Sequence, residues 1–410
     1  LGISSLVAGR LDLGQSAHLS DADHERWTRR VTPQPGDVVF SYETRLGEAA
    51  IIPDGLRCCL GRRMALMRPD PAKVDSRFLL YAYLGPEFQA TIRERTVHGS
   101  TVERILLTEF PDFPITVPDL ETQRWIARVL GALDDRIELN RRMSRTLESI
   151  ARTIFKSWFV DFGPVRREHG DSEPGILLDP VSAFPHCTHE EARVPAGWSR
   201  GCLQDLIETM LGGDWGSGSA TEECSARVSC LRGADVPALQ EGGIGSPPVR
   251  FLRPRSFEKR RLRAGDLVLE VSGGSPTQST GRCAVITDAV VRRLGDQLVC
   301  SNFCRAIRLR DRDAAWYVYL WLRWVYDSGL LFDFENGTTG IKNLAIADFA
   351  LNPVLPIPPA DVLSAFNRHV ESCLRLRETL SQESEHLASA RDELLPRLLS
   401  GALMAAEGPQ

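Results

Sequence analysis

The sequence predicts a mixed α/β (α+β) fold in which two copies of one domain are joined by two long helices that form an antiparallel coiled coil. Three observations support this prediction: an internal repetition of turn, strand and helix signals, two long apolar stripes with helical spacing, and a Pro- and Gly-rich segment between the halves. Because the helices would come from duplicated halves, their antiparallel pairing would give the molecule an internal approximate two-fold axis.

The composition is that of a globular protein with room for two domains. The chain has 410 residues, of which 43% are hydrophobic, and its formal net charge is -5 at pH 7. No apolar stretch approaches the roughly 20 residues that cross a bilayer, and no signal peptide opens the chain, so we expect a cytoplasmic protein. Because the chain starts abruptly at Leu1, we also expect that N-terminal residues are missing.

The two halves carry the same signals in the same order. The first half has a turn and strand, two apolar runs, a helical pattern, a Gly-Ser-Thr turn and an extended run, at residues 35–40, 49–52, 64–67, 76–95, 99–101 and 113–118. The second half repeats this order at residues 264–269, 283–286, 303–309, 316–326, 337–340 and 354–358. The first copy is shorter before its turn, so we expect that it lacks its opening strands.

A long helical pattern follows each copy, and adding 240 to positions in the first pattern gives apolar positions in the second. The apolar stripes fall at three- and four-residue steps, which is typical of helices that pack along their length. We predict that the following residues bind a partner helix: Leu130, Leu133, Ile137, Leu147, Ile154, Trp158, Val370, Leu387, Leu394 and Leu398. A generic coiled-coil dimerisation helix is the alternative interpretation.

These patterns give domain boundaries. We predict a first domain at residues 1–118, a central spacer helix at 119–162, a linker at 163–196, a second domain at 197–358, a distal spacer helix at 359–402 and a tail at 403–410.

Several catalytic signatures are absent from the sequence. No Gly-Lys pair occurs, so there is no P-loop, and none of the lysines follows an acid by two residues as in metal-dependent nucleases. Neither double proline fits an amino-methyltransferase motif, and no GxGxxG fingerprint is present. The nearest approach to a metal cluster is His186, Cys187 and His189, which lacks four ligands at a tetrahedral spacing. We therefore expect a non-catalytic chain that binds no metal.

One segment is strongly basic although the whole chain is acidic. Residues 250–263 contain seven basic side chains and one acid, Glu258. Such a segment suits contact with a phosphate backbone, and a solvated loop is the alternative.

Residues 130–143 and 154–162 closely resemble the central spacer helix of the specificity subunits of type I restriction-modification systems. Residues 265–267, 272–278, 281–282 and 340–344 are similar to recurrent segments of the family's target recognition domains. The resemblance covers nearly the whole chain. The chain differs from the family pattern at its short start, so we expect that the first recognition domain is incomplete here.

The resemblance implies a division of labour in DNA methylation and phage defence. This chain would read a bipartite site in double-stranded DNA, with one half-site per domain, while its spacer helices dock two modification subunits. Two restriction subunits would complete the complex. The chain would bind no cofactor, since S-adenosylmethionine would belong to the modification (methyltransferase) subunits, and ATP and magnesium to the restriction (translocase and nuclease) subunits.

Loops carry recognition in such scaffolds, and arginine and glutamine suit guanine and adenine edges respectively. The predicted DNA contacts are Arg45, His98, Ser100, Thr101, Arg250, Arg253, Arg255, Lys259, Arg260, Thr277, Gln278, Thr338, Thr339 and Lys342. Turn and helix-cap chemistry is the alternative for the serine and for three of the threonines, Thr101, Thr338 and Thr339. Two further functions stay open: the recognition half of a fused restriction or methylation enzyme, and a coiled-coil scaffold that does not bind DNA.

Overall fold

The computed structural model describes residues 1–98, 102–162, 194–195, 197–273, 278–337 and 341–402. It divides into two units, one formed by Leu1–Glu138 with Glu385–Gln410 and the other by Leu139–Ser384. None of the helices in the described ranges combines the length and apolar character needed to cross a membrane. Most of the predicted linker and the whole predicted tail lie outside the described residues.

The first unit combines short strands with helices. In chain order its elements are β1 (Leu6–Val7), β2 (Arg10–Leu11), α1 (Asp21–Trp27), β3 (Val38–Ser41), β4 (Ala49–Ile51), β5 (Met64–Met67), α2 (Ser76–Leu84), α3 (Pro86–Arg95), β6 (Val97–His98), β7 (Glu103–Arg104) and the beginning of α4 (Leu120–Phe155). Strand β3 lies between β4 and β5 in an antiparallel sheet. Helix α2 packs on this sheet, with Leu79, Leu80 and Tyr83 against Val38 and Phe40 in one buried cluster.

The second unit is larger and richer in strands. It contains the end of α4, then β8 (Ser199–Gly201), α5 (Leu203–Leu206), β9 (Ile207–Gly212), β10 (Ala226–Leu231), α6 (Val236–Gln240), β11 (Val249–Leu252), α7 (Pro254–Arg260), β12 (Leu267–Glu270), β13 (Ser272–Gly273), β14 (Cys283–Val285), α8 (Asp288–Leu294), β15 (Leu298–Cys300), β16 (Cys304–Leu309), α9 (Ala315–Asp327), β17 (Glu335–Asn336), β18 (Lys342–Leu344), α10 (Ile346–Leu351), β19 (Leu355–Ile357) and most of α11 (Ala360–Leu399).

Four small sheets organise the second unit. Their strand orders are β14-β12-β16-β9, β11-β10-β15, β13-β18-β17 and β19-β8. Helix α9 supplies much of the core, since eight of its side chains are buried, Trp321 among them. Trp321 lies against Phe349 of α10 with ring centroids 5.7 Å apart. The core is thus built from helices packed against small sheets, as a mixed α/β fold requires.

In the first unit, an ion pair with a buried carboxylate fixes the turn before the central strand. Gly36 has a φ of 86°, in the left-handed region that favours glycine, and its N–H donates to the carbonyl of Ile52 at 3.0 Å. The Asp37 carboxylate accepts two hydrogen bonds from Arg68, at 2.8 and 2.7 Å, and one from the backbone N–H of Gln34 at 2.8 Å. The turn therefore joins all three strands of the sheet.

The second unit contains the same arrangement. Gly265 has a φ of 94° and its N–H donates to the carbonyl of Ile286 at 2.7 Å. The Asp266 carboxylate accepts from Arg308 at 2.9 and 2.7 Å and from the backbone N–H of Arg263 at 2.8 Å. Arg308 lies in the neighbouring antiparallel strand β16, and Arg68 directly follows the neighbouring strand β5. The Gly-Asp dipeptide therefore has one structural role in two places.

In each unit, part of α4 packs against part of α11. In the first unit, Leu130 clusters with Leu398, and Asp134 lies 2.7 Å from Arg391. As α4 advances from 130 to 134, α11 therefore runs backward from 398 to 391, which is an antiparallel direction. After Phe155 the chain continues in a π-helical turn, Lys156–Val160.

The same direction holds in the second unit. Asn140 donates to the carbonyl of Leu380 at 3.4 Å, and the ring of Phe155 lies 6.4 Å from that of Phe366. The predicted mixed α/β class and the predicted packing of the two long helices are thus confirmed.

We expect Asp37 to make the stability of the first unit depend on pH. Burial alone would raise the pKa of this carboxyl, but hydrogen bonds from Arg68 and Gln34 outweigh burial and hold the pKa below its usual value of 3.8. Such a group contributes stability that is present above its unfolded pKa and is lost as pH falls through the folded pKa. Asp37→Asn should therefore cost about 1–3 kcal/mol at neutral pH and progressively less below about pH 4.

Urea unfolding of both proteins across this pH range measures the difference. Asp54→Asn, at an exposed aspartate of the same unit, is the control and should change little. A destabilisation by Asp37→Asn that is equal at pH 3 and pH 7 would contradict the assignment.

Candidate nucleic-acid interface

The basic segment at residues 250–263 begins on β11 and continues through α7. Arg253, Arg255 and Lys259 are exposed there. Arg253 pairs with Glu223 at 2.6 Å, and both side chains are largely solvent-exposed. Arg255 and Lys259 form no ion pair with any residue that the structure describes. Exposed cations of this kind can neutralise phosphates of a nucleic-acid backbone.

Two other arginines of the segment hold backbone at the end of β9 and just after it. Nε of Arg250 donates to the carbonyl of Trp215 at 2.9 Å, Nη2 donates to that of Gly216 at 3.0 Å, and the guanidinium lies 4.4 Å from the centroid of the Trp215 ring. Arg260 donates to the carbonyl of Gly212 at 3.0 Å. Arg250 therefore positions the loop after β9 and Arg260 holds the end of that strand, whereas Arg255 and Lys259 are exposed to solvent.

Replacing Arg250 and Arg255 with alanine should therefore have different effects on the loop. Arg250→Ala removes two hydrogen bonds and a cation-π contact, so hydrogen exchange at residues 213–218 should accelerate by about 10-fold or more. Arg255→Ala should leave that exchange unchanged, because its side chain supports no described backbone. In DNA binding, Arg255→Ala should reduce the slope of log affinity against log salt by about 0.9 if Arg255 contacts one phosphate. Equal exchange behaviour in the two variants would refute the distinction.

Lys342 lies on β18 and is held by its own unit. Its Nζ is 2.7 Å from Oε2 of Glu335 and 4.6 Å from the centroid of the Phe332 ring. Glu335 also accepts from the N–H and the hydroxyl of Thr280, at 2.5 and 2.9 Å. Burial alone would raise the pKa of the Glu335 carboxyl, but hydrogen bonds from Lys342 and Thr280 outweigh burial and lower this pKa. Gln278 is half-buried.

The predicted contacts in the first unit are surface residues. Arg45 donates to the carbonyl of Ile3 at 3.3 Å and pairs with Glu48 at 3.1 Å, and His98 lies 3.0 Å from Glu103. The other predicted contacts lie outside the described residues: Ser100, Thr101, Thr277, Thr338 and Thr339.

The predicted partner-binding residues of the long helices face into the units. Four of these residues are buried: Leu130, Ile137, Val370 and Leu398. Half-buried are Leu133, Leu147, Ile154, Trp158, Leu387 and Leu394. Their packing partners include residues of the same chain.

Sequence patterns did not identify two exposed features, Trp215 and the asparagine pair Asn336 and Asn343. Alternation in Lys342-Asn343-Leu344 is the signal that could have found Asn343, because neighbouring residues of a strand point to opposite faces. Among the described residues, no group of three or more His, Cys, Asp and Glu side chains could hold a metal ion. His186, Cys187 and His189 lie outside that part of the chain.

Comparison with known proteins gives the class of this protein. A family model described as the type I restriction modification DNA specificity domain matches residues 30–149. The S subunit of a type I restriction-modification system from M. genitalium has a similar fold, with a TM-score of 0.50 and 13% identity, covering 89% of this chain and 83% of that one. The fold and the matched domain define a DNA specificity protein.

Two curated relatives narrow this class. The HindI specificity subunit of Haemophilus influenzae is 26% identical over 332 residues, covering 74% of this chain and 72% of the relative. The MjaIX specificity subunit of Methanocaldococcus jannaschii is 23% identical over 380 residues, covering 92% of this chain and 80% of the relative. The chain belongs to the specificity subunits of type I restriction-modification systems, and the predicted family and non-catalytic role are confirmed.

Proposed function

We propose that this specificity subunit reads a bipartite sequence in double-stranded DNA, with one half-site recognised by each of two duplicated domains. The observation that carries the proposal is the repeated Gly-Asp turn, in which Asp37 with Arg68 and Asp266 with Arg308 form the same bonds. A duplicated domain offers two reading surfaces on one chain. The proposed domains keep the boundaries 1–118 and 197–358, with the spacer helices at 119–162 and 359–402.

The antiparallel direction of the helices supports an internal approximate two-fold axis. Two helices from duplicated halves that pack antiparallel would be related by such an axis. Readers related in this way fit two half-sites whose centres lie near one DNA turn, roughly 10 base pairs apart. An unread gap of several base pairs would separate the half-sites.

Docking of modification subunits would use the exposed side of α4. Because the predicted stripe is largely buried within the units, other side chains must supply this surface. Leu139, Met143 and Ile150 are exposed by 46%, 37% and 42%, and they fall at helical spacing along one face. Exposed apolar side chains in a row are typical of a protein interface.

Replacing Met143 with aspartate should therefore weaken association with the modification subunit by about 10-fold or more, because a charge would be buried at the interface. Arg145→Asp, at another exposed position of the same helix, is the control. Co-purification of tagged complexes measures the effect, and full association of the Met143 variant would exclude this face.

The proposed complex also includes two restriction subunits. S-adenosylmethionine, ATP and magnesium would be held by the modification and restriction subunits rather than by this chain. Since the proposed substrate is host DNA, we place the complex in the cytoplasm.

Long-read sequencing of methylated adenines in cells with and without the gene tests the proposal. We expect a split motif with an undefined gap to be methylated only when the gene is present, and to return on complementation. Unchanged adenine methylation in cells that express the modification subunits would contradict the proposal and favour a scaffold that does not bind DNA.

A further inference from the structure

A row of three neutral polar side chains crosses the small sheet β13-β18-β17. Ser272 lies directly opposite Asn343, and Asn343 lies directly opposite Asn336. Directly opposite residues of neighbouring strands point to the same face of a sheet. The Ser272 hydroxyl lies 2.5 Å from Oδ1 of Asn343, which places these two side chains on one face. Both asparagines are exposed.

The other face of the same sheet points into the second unit. Glu335, Lys342 and Leu344 alternate with the row along their strands, and Leu344 is 6% exposed. The pair of Lys342 with Glu335 joins β17 and β18 from this inner side, with the Glu335 side chain only 5% exposed. A buried, charge-assisted contact therefore fixes the strands that carry the two asparagines.

The row is suited to base edges rather than to phosphates. It carries no charge, and its amides offer donors and acceptors in pairs. An asparagine amide can accept from N6 and donate to N7 of adenine in the major groove, which is wide enough for a small β-ribbon. The hydroxyl of Ser272 orients the Asn343 amide, whose oxygen keeps a second lone pair and whose nitrogen keeps both hydrogens.

We propose that the base-reading row Ser272, Asn343 and Asn336 recognises an A·T pair in the half-site read by the second unit. Lys342, by contrast, is a positioning residue, because its ammonium group is engaged with Glu335 on the inner face. This inference rests on the proposed function, namely that this unit binds DNA. It adds which surface reads the bases and which base pair that surface selects.

The test is selection from DNA in which each half-site position is randomised, at fixed salt, with the chain assembled with its modification subunits. Asn343→Ala should reduce discrimination for A·T at one position of one half-site by about 10- to 100-fold and leave the other half-site unchanged. Asn343→Asp, which can only accept, should move the preference at that position toward a C·G pair. Asn352→Ala is the matched control, since Asn352 is an exposed amide at the end of α10.

The outcomes distinguish a failure of the proposed function from a failure of the base-reading row alone. If the unaltered complex selects no sequence, the proposed function itself fails. If it selects a split site and Asn343→Ala keeps the same base preferences, only the base-reading row is refuted. A uniform loss of affinity for every sequence, with a smaller salt dependence, would indicate a phosphate contact and would also overturn the row.

Discussion

Replacing Glu148 with leucine should lower the free energy of unfolding of the second unit by about 3–5 kcal/mol, because the change leaves a buried charge unpaired. Glu148 on α4 forms an ion pair with Arg377 on α11, and their side chains are 15% and 4% exposed. The hydroxyl of Tyr319 donates to the same carboxylate at 3.3 Å. Without Glu148, the Arg377 guanidinium would stay in the interior without its ion-pair partner.

Urea unfolding measures this loss, and so does hydrogen exchange at residues 139–155 and 360–384. The double variant Glu148→Leu with Arg377→Leu should recover most of the stability, since an apolar pair can replace a buried ion pair. Glu371→Leu is the control: its pair with Arg375 lies on the surface of the same helix, so the cost should stay below about 1 kcal/mol. A double variant as unstable as the single one would contradict the explanation.

Replacing Phe159 with alanine should also cost about 3–5 kcal/mol, because it removes the centre of an aromatic cluster. Phe159 is 3% exposed, and its ring lies 4.7 Å from those of both Tyr317 and Phe366 in edge-on contacts. A further ring, that of Trp198, lies 5.7 Å away. The cluster joins the π-helical turn after α4 to α9 and α11 within the second unit.

The thermal midpoint and the exchange of α9 measure this effect. Phe303→Ala, at a phenylalanine that is 51% exposed, makes the same chemical change at the surface and should cost less than about 1 kcal/mol. If both substitutions lower the free energy of unfolding by the same amount, the aromatic cluster does not stabilise the second unit in the way described.

Helical periodicity predicted the two long helices because their apolar stripes repeat over many turns. Asn140 is a polar residue within the first of these helices, and the structure shows it fully buried, with its amide donating to the carbonyl of Leu380. Periodicity could not show that Glu148 lies opposite Arg377, because the two positions are 229 residues apart. Pairing between distant segments depends on tertiary packing that a local pattern does not contain.

The same limit applies to the turns and to the candidate interface. The repeated turn signals at residues 35–40 and 264–269 were readable, but the arginines that complete these turns, Arg68 and Arg308, have no fixed spacing from them. The density of charge identified the basic segment, yet only the fold distinguishes Arg250, which holds the Trp215 loop, from Arg255 at the surface. Charge can thus be predicted locally, while the role of each charge depends on its neighbours.

Exchanging one domain and mapping the methylated sequence tests whether each domain reads one half-site. Residues 197–358 would be replaced by the corresponding domain of a relative with a different specificity, and methylated adenines would be mapped in cells that contain the modification subunits. We predict that one half of the split motif changes to that of the relative while the other half stays the same. A motif that changes in both halves, or in neither half although the complex assembles, would contradict the assignment of one half-site to each domain.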